Sequence, residues 1–576
     1  MLQAQPFSLR QHENGQSERS QLATSGAHKV QKARDVSNAR SPTTQDAVTR
    51  GRSERAAAED AVCVSSVDAS AEPVLEDRSS DRTEDLPDDT DVGRLAGRGA
   101  LWGVIAQMTQ QVLSIAATMV LARLLTPSDF GVVTASVIVL QFVQLALALG
   151  WGPAIVRRRE ASDAYLSSIF WIVCSMGTVL GAAMALGAPF LAGLVGISSA
   201  APYLMVLGLS CIPGAALIVP QSILQRRLQL QAMHVTSILS FVIYVAVQVT
   251  LALLGAGAWA VIVGIVVQSF VQFAGSCVAA RWRPHLVFRR RLIGEDFRLA
   301  SGLLFDNGLT YGVRNADYMV VGHLLGAAAL GAYYVAYVLP QILRLRVTWV
   351  AGSVMFPVLA RSRSDQKRTQ QVYEHTLLLL TWIGFPAMVG LAVLAEPVVQ
   401  VFFGPRWDAA VAPLRWLAFV ALLEFMTFGP SMVAAVRGRV RPLLVTNVVR
   451  LVLLVVAIVV AGTTFRTVGA VAAAVFVATL LWAVHQQLTL ARPLGLTIAP
   501  LLNRLSALAG LSFVMGVMVG VLLERLNHWP SIAQLLTCTV AGSAFYFVLG
   551  RLLFRDITNP LIRSVRMIVQ SGGRTT

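Results

Sequence analysis

The chain of 576 residues is 55% hydrophobic and only 14% charged, with a mean hydropathy of +0.63 and a formal net charge of +16. That balance excludes an ordinary soluble domain and describes a polytopic membrane protein. The positive surplus does not point to nucleic acid either, because the arginines gather at the ends of apolar runs, where they anchor helices and orient them across a bilayer.

The charge divides into two unlike parts. Residues 1 to 92 carry 11 basic and 17 acidic side chains, whereas the rest of the chain carries 36 and 14. The first part is rich in Ser, Arg, Asp, Glu and Ala, has few aromatics and no sustained periodicity, and reads as a disordered tail. No apolar core follows its basic residues, so it is not a secretory signal. An acidic run from Glu76 to Asp91 offers a surface for a basic partner. A solvated cytoplasmic tail, or an overlong start of the reading frame, is the plainer explanation.

Fourteen apolar stretches follow, each near the ~20 residues that span a bilayer. They lie at 99–122, 129–152, 165–190, 201–224, 233–254, 257–280, 298–321, 329–356, 374–395, 411–435, 443–462, 467–486, 505–524 and 532–552. All are expected as helices, since lipid offers no partner to an exposed strand edge. Of the 36 basic residues after position 92, 25 fall in every second connection and only four, Arg123, Arg406, Arg466 and Arg525, in the alternate ones. Short arginine-rich loops stay on the cytoplasmic side, so both termini are expected in the cytoplasm of a protein of the cell (inner) membrane. The expected organisation is a tail over 1–92, a six-helix half over 93–280, a basic linker over 281–297, a second six-helix half over 298–490, an added helix pair over 491–553 and a cytoplasmic tail over 554–576. Prolines and glycines inside the spans, such as Pro213 with Gly214, Pro220, Pro340, Pro386 and Gly429 with Pro430, permit bends.

An internal repeat appears at an offset of 200 residues. LARLLTPSDFGVVTA at 121–135 aligns with VGHLLGAAALGAYYV at 321–335, pairing Leu124 with Leu324, Leu125 with Leu325 and Gly131 with Gly331. Six helices between the copies preserve orientation, so the fold class is an all-α membrane protein of two parallel six-helix halves around a central cavity, plus two C-terminal helices. The first helix followed by LARLLTPSDFG, the second followed by GPAIVRR, and the later DYMVVGHLLGAAALGAYYVAY together resemble the polysaccharide-transporter (Wzx-type) flippases of the multidrug/oligosaccharidyl-lipid/polysaccharide exporter superfamily, over roughly residues 95 to 560. The resemblance implies a flippase that moves a polyprenyl-diphosphate-linked oligosaccharide to the outer leaflet for polymer assembly. Its partners would be that lipid, the membrane and polysaccharide polymerase and assembly proteins.

Five arginines lie within spans, where burial is costly and a cavity-facing cation marks a substrate or ion pathway. In the seventh span Asp306, Arg314 and Asp317 fall at about 0°, 80° and 20° around the axis, forming one polar face with Asn307 and Tyr318. Arg314 and Asp317 are three apart, a spacing that lets them pair. In the eighth, Tyr337, Gln341 and Arg344 share a stripe, while Arg346, two residues beyond Arg344, points about 200° away and is expected to find another partner. At the repeat offset, Gln144 stands where Arg344 does. Gln107, Gln110, Gln111 and Ser114 line a neutral stripe on the first helix, with Asn307 and Arg314 as second-copy counterparts of Gln107 and Ser114. Arg450 beside Asn447 is a further cation, and Glu424 a carboxylate nine residues from Arg415 and on the opposite face.

This chemistry suits an amphiphile with a diphosphate and a glycan. Guanidinium forks bind phosphate oxygens, and amides and tyrosine rings suit sugar hydroxyls and faces. The substrate-binding candidates are Arg344, Arg314, Gln341, Tyr337, Arg450, Gln107 and Gln111; Asp306, Asp317 and Glu424 are candidates for ion coupling or for helix ties. No cofactor is expected. Cys63, Cys174, Cys211, Cys277 and Cys538 are scattered singly and the eight histidines are dispersed, so no metal site is expected. The Asp-Phe-Gly at 129–131 lacks every other kinase element.

Competing functions fit less well. A drug/cation antiporter of the same superfamily needs twelve helices and an excess of cavity carboxylates, and the motif around 121–131 disfavours a peptidoglycan-precursor flippase. A polymerase or ligase needs a sizeable outer loop, and the longest outer connection, near 396–410, is too short. A non-catalytic scaffold has no use for arginines at bilayer depth.

Overall fold

The computed structural model describes residues 89–147, 151–158, 161–288, 294–361, 365–496 and 501–553. The tail expected over 1–92 lies outside the described residues as far as Asp88. The last four of its residues belong to a helix that starts at Asp89, ten positions ahead of the expected span.

Every regular element among the described residues is helical. The main helices of the first repeat are α1 (Asp89–Leu124), α2 (Pro127–Leu147), α3 (Asp163–Leu186), α4 (the broken span Ser198–Arg226), α5 (Leu230–Leu253) and α6 (Trp259–Ala280). A continuous helical trace follows over Gly294–Arg361, but Gly326 inside it has φ 83° and ψ −177°, a conformation open only to glycine. The Tyr333 hydroxyl donates to Asp317 Oδ2 at 2.9 Å, although a straight helix would hold positions 16 apart at about 24 Å. The chain therefore turns back at Gly326, giving two arms, α7 (294–325) and α8 (327–361). After them come α9 (Gln366–Val393), α10 (Val411–Val436), α11 (Val440–Phe465), α12 (Val468–Gln486), α13 (Leu502–Arg525) and α14 (Ser531–Leu553).

Thirteen stretches among the described residues are long and apolar enough to cross a membrane, and one of them, Arg314–Trp349, contains the turn at Gly326. Side chains of α7 before Gly308 lie outside the described residues. The chain is a multi-pass, all-α membrane protein.

Local chemistry explains the repeat motif. Thr126 caps α2: its hydroxyl accepts from Asp129 N at 3.2 Å while Asp129 Oδ2 accepts from Thr126 N at 3.0 Å, with Pro127 as the first helical residue. Phe130 stands edge-on to the wholly buried Trp407 at 5.0 Å, and a Cβ on Gly131 would fall 1.8 Å from the Ala327 carbonyl oxygen. Asp-Phe-Gly is thus a cap, a packed ring and a close backbone crossing. The second copy makes the reciprocal contact, since a Cβ on Gly331 would fall 2.0 Å from the Pro127 carbonyl oxygen. The two repeat motifs meet each other through their glycines, with the turn at Gly326 standing 200 residues after the cap Thr126.

Close packing of small residues recurs between α3 and α4, where a Cβ on Gly181 would sit 2.5 Å from Gly208 O. The expected bends of the fourth span are breaks, with a 3-10 turn at Gly208–Ser210 and a further joint before Ile218–Arg226. Pro386 and Pro430 lie within continuous helices. Helix ends that carry arginine also meet: Arg227 Nη1 donates to Ala280 O at 2.8 Å, and Arg437 Nη2 to Gln366 Oε1 at 2.7 Å. At the other ends Arg123 donates to Val401 O at 2.9 Å and Trp407 Nε1 to Ala122 O at 2.8 Å.

Candidate functional site

Three helices of the second repeat each bring one charged side chain to a common point. Arg344 of α8 meets Glu424 of α10 through Nε and Oε2 at 2.8 Å, and Arg450 of α11 reaches the other oxygen of the same carboxylate through Nη2. The Glu424 side chain is 8% exposed and the two arginine side chains 22% each, so the carboxylate is the buried centre and the guanidinium groups form its partly open rim. The Arg450 guanidinium also lies 4.4 Å from the ring centre of Trp482 on α12, whose indole is held by a bond to Thr446 O at 3.0 Å. Arg450 Nε is buried without a hydrogen-bond partner among the described residues.

A second carboxylate sits nearby. Asp317 on α7 is 3% exposed and accepts from the Tyr333 hydroxyl, while its Oδ1 is buried without a partner among the described residues. Tyr318 and Tyr333 meet edge-on at 5.5 Å, and Tyr318 meets Tyr337 at the same separation, so aromatic faces enclose the acid. Tyr337 also lies 6.1 Å from Tyr333, the donor to Asp317, and seven residues before Arg344 on the same face of α8, between the two acidic points. Arg314, whose spacing from Asp317 allows a pair, makes no ion pair with it. The roughly 60° between them around α7 is enough to turn Asp317 towards α8 and leave Arg314 exposed at the wall of a cavity.

That cavity measures about 470 Å³ and lies chiefly among helices of the first repeat and the α7–α8 hairpin. Its polar lining is mostly uncharged: Ser114 and Thr118 from α1, Gln141 from α2, Tyr244 and Gln248 from α5, and Asn315, Tyr334 and Gln341 from the hairpin. Among the described residues Arg314 is the one guanidinium in the wall. Gln248 is buried, and its Oε1 has no partner among the described residues.

The sequence candidates therefore separate. Arg344, Arg450 and Glu424 come together; Arg314 and Gln341 line the cavity; Tyr337 bridges towards the buried acids. Arg346 turns away from Arg344, as the helical angles require, and its Nη2 donates to Gln111 Oε1 at 2.6 Å. That bond engages Gln111 with the protein itself, and Gln107 is exposed on α1 outside the cavity wall. Asp306 and Asn307 fall on a stretch of α7 whose side chains lie outside the described residues. Sequence reasoning missed Gln248, Tyr244 and Trp482. An amide in the apolar second half of α5, well inside the helix, was the available signal for the first; nothing local distinguishes the other two from packing residues.

A family model described as "Polysaccharide biosynthesis protein" matches residues 120–412, just over half of the chain. Among curated proteins, the succinoglycan biosynthesis transport protein ExoT of Rhizobium meliloti is 27% identical over 60% of this chain and 70% of its own length. The lipopolysaccharide biosynthesis protein WzxC of Escherichia coli is 24% identical over 64% and 76%, and the teichuronic acid biosynthesis protein TuaB of Bacillus subtilis 24% identical over 59% and 71%. Among solved structures, the lipid II flippase MurJ in an inward closed conformation superimposes with a TM-score of 0.63 at 15% identity, covering 80% of this chain and 100% of that one. An inward-facing multidrug resistance MATE family transporter of the MOP superfamily gives 0.53 at 16% identity, over 69% and 95%. At such identities the likeness is one of fold.

Proposed function

The chain belongs to the polysaccharide biosynthesis protein family, and from that premise we propose that it is a flippase, moving a polyprenyl-diphosphate-linked oligosaccharide across the cell membrane by alternating access. The observation that carries the reading is the charged cluster, with guanidinium groups of Arg344 and Arg450 at the rim of a buried carboxylate; Arg344 stands one helical turn along α8 from Gln341, which lines a cavity whose uncharged amides and hydroxyls accept many hydrogen-bonding patterns. Phosphate oxygens seek the guanidinium forks, with Arg314 as a third cation on the cavity wall. Sugar hydroxyls seek Gln141, Gln248 and Asn315, and sugar faces the rings of Tyr244 and Tyr334. The relatives named for succinoglycan transport and for lipopolysaccharide and teichuronic acid biosynthesis support a cell-surface polymer as the product.

The arginine-rich connections set the orientation, with both ends of the chain in the cytoplasm and the Thr126 and Gly326 turns on the outer face. Polymerase and assembly proteins of the same polymer are the natural partners of a protein that delivers their substrate. Asp317, buried with one oxygen unpartnered, is the carboxylate for coupling to a cation gradient, whereas both oxygens of Glu424 are taken. No covalent step is needed. A drug antiporter is disfavoured, because among the described residues three guanidinium groups face two carboxylates.

The test compares a deletion strain with strains carrying the wild-type chain or Arg344→Ala, and measures lipid-linked oligosaccharide in each leaflet. Accumulation on the cytoplasmic side in the deletion and in Arg344→Ala is expected. An unchanged leaflet distribution in the deletion strain would overturn the reading.

A further inference from the structure

Glu424 holds the two arginines through one contact each, although a guanidinium offers five donors. The trio carries one net positive charge, and Arg450 Nε is left buried without an acceptor among the described residues. An anion that takes over both guanidinium groups competes with the carboxylate already there. We infer that Glu424 is a specificity-determining residue: a built-in competitor that sets a minimum charge for the ligand, admitting a diphosphate diester and turning away a monophosphate diester. The inference rests on the reading that these arginines receive the diphosphate of a lipid-linked glycan.

The reasoning is one of exchange. Glu424 is tethered, so it competes for the arginines at an effective concentration in the millimolar range or above without being added to solution. A monophosphate diester brings one negative charge, the same as the carboxylate it would replace. It gains little and leaves Glu424 buried without its partners, a costly outcome for a buried ion. A diphosphate diester brings two charges on neighbouring phosphoryl groups, each with two terminal oxygens. It compensates both guanidinium groups and supplies the acceptor that Arg450 Nε lacks. Arg314 stands on the neighbouring cavity wall as a third cation. The device has a clear use, because the bilayer around the protein is crowded with monophosphate diester headgroups at far higher concentration than any glycan carrier.

The experiment uses the full chain in nanodiscs of uncharged lipid and two synthetic probes: a short prenyl chain joined to one sugar through a diphosphate, and the same pair joined through a monophosphate. Wild-type protein is expected to bind the first at least roughly tenfold more tightly, a difference of about 1.4 kcal/mol. In Glu424→Gln that preference should shrink to within about threefold, chiefly by tighter monophosphate binding, while Glu424→Asp, which keeps the charge, should retain it. A preference unchanged in Glu424→Gln overturns the inference. A second measurement needs no variant: a hydrophobic carbodiimide modifies carboxyl groups within the membrane, and peptide mass spectrometry reads Glu424 directly. Saturating diphosphate probe should raise its modification several-fold and monophosphate probe should not; an unaltered yield under diphosphate also overturns the inference. Diphosphate binding that Arg344→Ala leaves intact would instead sink the reading of the site itself, and this inference with it.

Discussion

Two polar regions share the α7–α8 hairpin and are built on opposite principles. Among the described residues, the cavity among α1, α2, α5 and the hairpin uses uncharged donors and acceptors, with Arg314 its only guanidinium, and leaves a buried acceptor, Gln248 Oε1, unpartnered. The cluster among α8, α10 and α11 uses full charges and ties both oxygens of its carboxylate to arginines. A neutral group tolerates a missing partner at a cost of about 1–3 kcal/mol, whereas a buried charge stripped of its partner costs about 3–5 kcal/mol. The difference teaches where adaptability lives. On the proposed function, a varied glycan would be met by amides that can wait unpaired, and the diphosphate by charges that cannot.

The largest effect should come from breaking the charged region. Arg344→Ala leaves Glu424 with one guanidinium of two and should lower transport by more than about thirtyfold, with a loss of stability on the order of 3 kcal/mol. Joining it to Glu424→Gln removes the orphaned charge, so thermal unfolding in detergent should return most of the way to wild type while leaflet transport stays low. If stability and transport recovered together, the cluster would be a helix tie and the contrast between the regions would fail.

The neutral region should behave otherwise. Gln248→Leu replaces an amide with an unpartnered buried oxygen by an apolar side chain of similar size, so stability should hold or rise by up to about 1 kcal/mol. Binding of a diphosphate probe bearing an oligosaccharide should weaken by about three- to tenfold, and binding of the same probe with a single sugar should barely change. Equal losses for both probes would place Gln248 with the diphosphate and erase the division of labour.

Much of this was legible before any coordinates. Helix positions follow from apolar length, because the bilayer forces every span to satisfy its own backbone, and the structure places α5, α13 and α14 within three residues of their expected ends. The separation of Arg344 from Arg346 follows from helical angles alone. The partnership of Arg344, Glu424 and Arg450 did not, since the three lie on different helices and no spacing along the chain encodes which neighbours face each other. Asp317 shows the same limit in reverse. Its spacing from Arg314 allowed an ion pair, but α8 turns back at Gly326 and offers Tyr333 first. The Asp-Phe-Gly motif stands out in the sequence through the repeat and the family resemblance, but its glycine crossing is visible only with the second copy in place.

The smallest effect is expected at Arg346, and it sharpens the comparison because this residue matches Arg344 in type and depth along α8. Its guanidinium donates to an amide, Gln111 Oε1, rather than to a carboxylate, and joins α8 to α1. Losing a charged donor to a neutral acceptor that is only half-buried costs about 1.5–3 kcal/mol at most, and water can replace the donor to Gln111. Arg346→Ala should therefore keep more than about half of wild-type transport and leave the preference for diphosphate over monophosphate probes unaltered. Arg346→Gln, which restores a neutral donor, should be closer still to wild type. A loss as deep as that of Arg344→Ala would mean that arginine on α8 serves transport through charge alone, whichever way it faces, and that the pairing with Glu424 does not set the two residues apart.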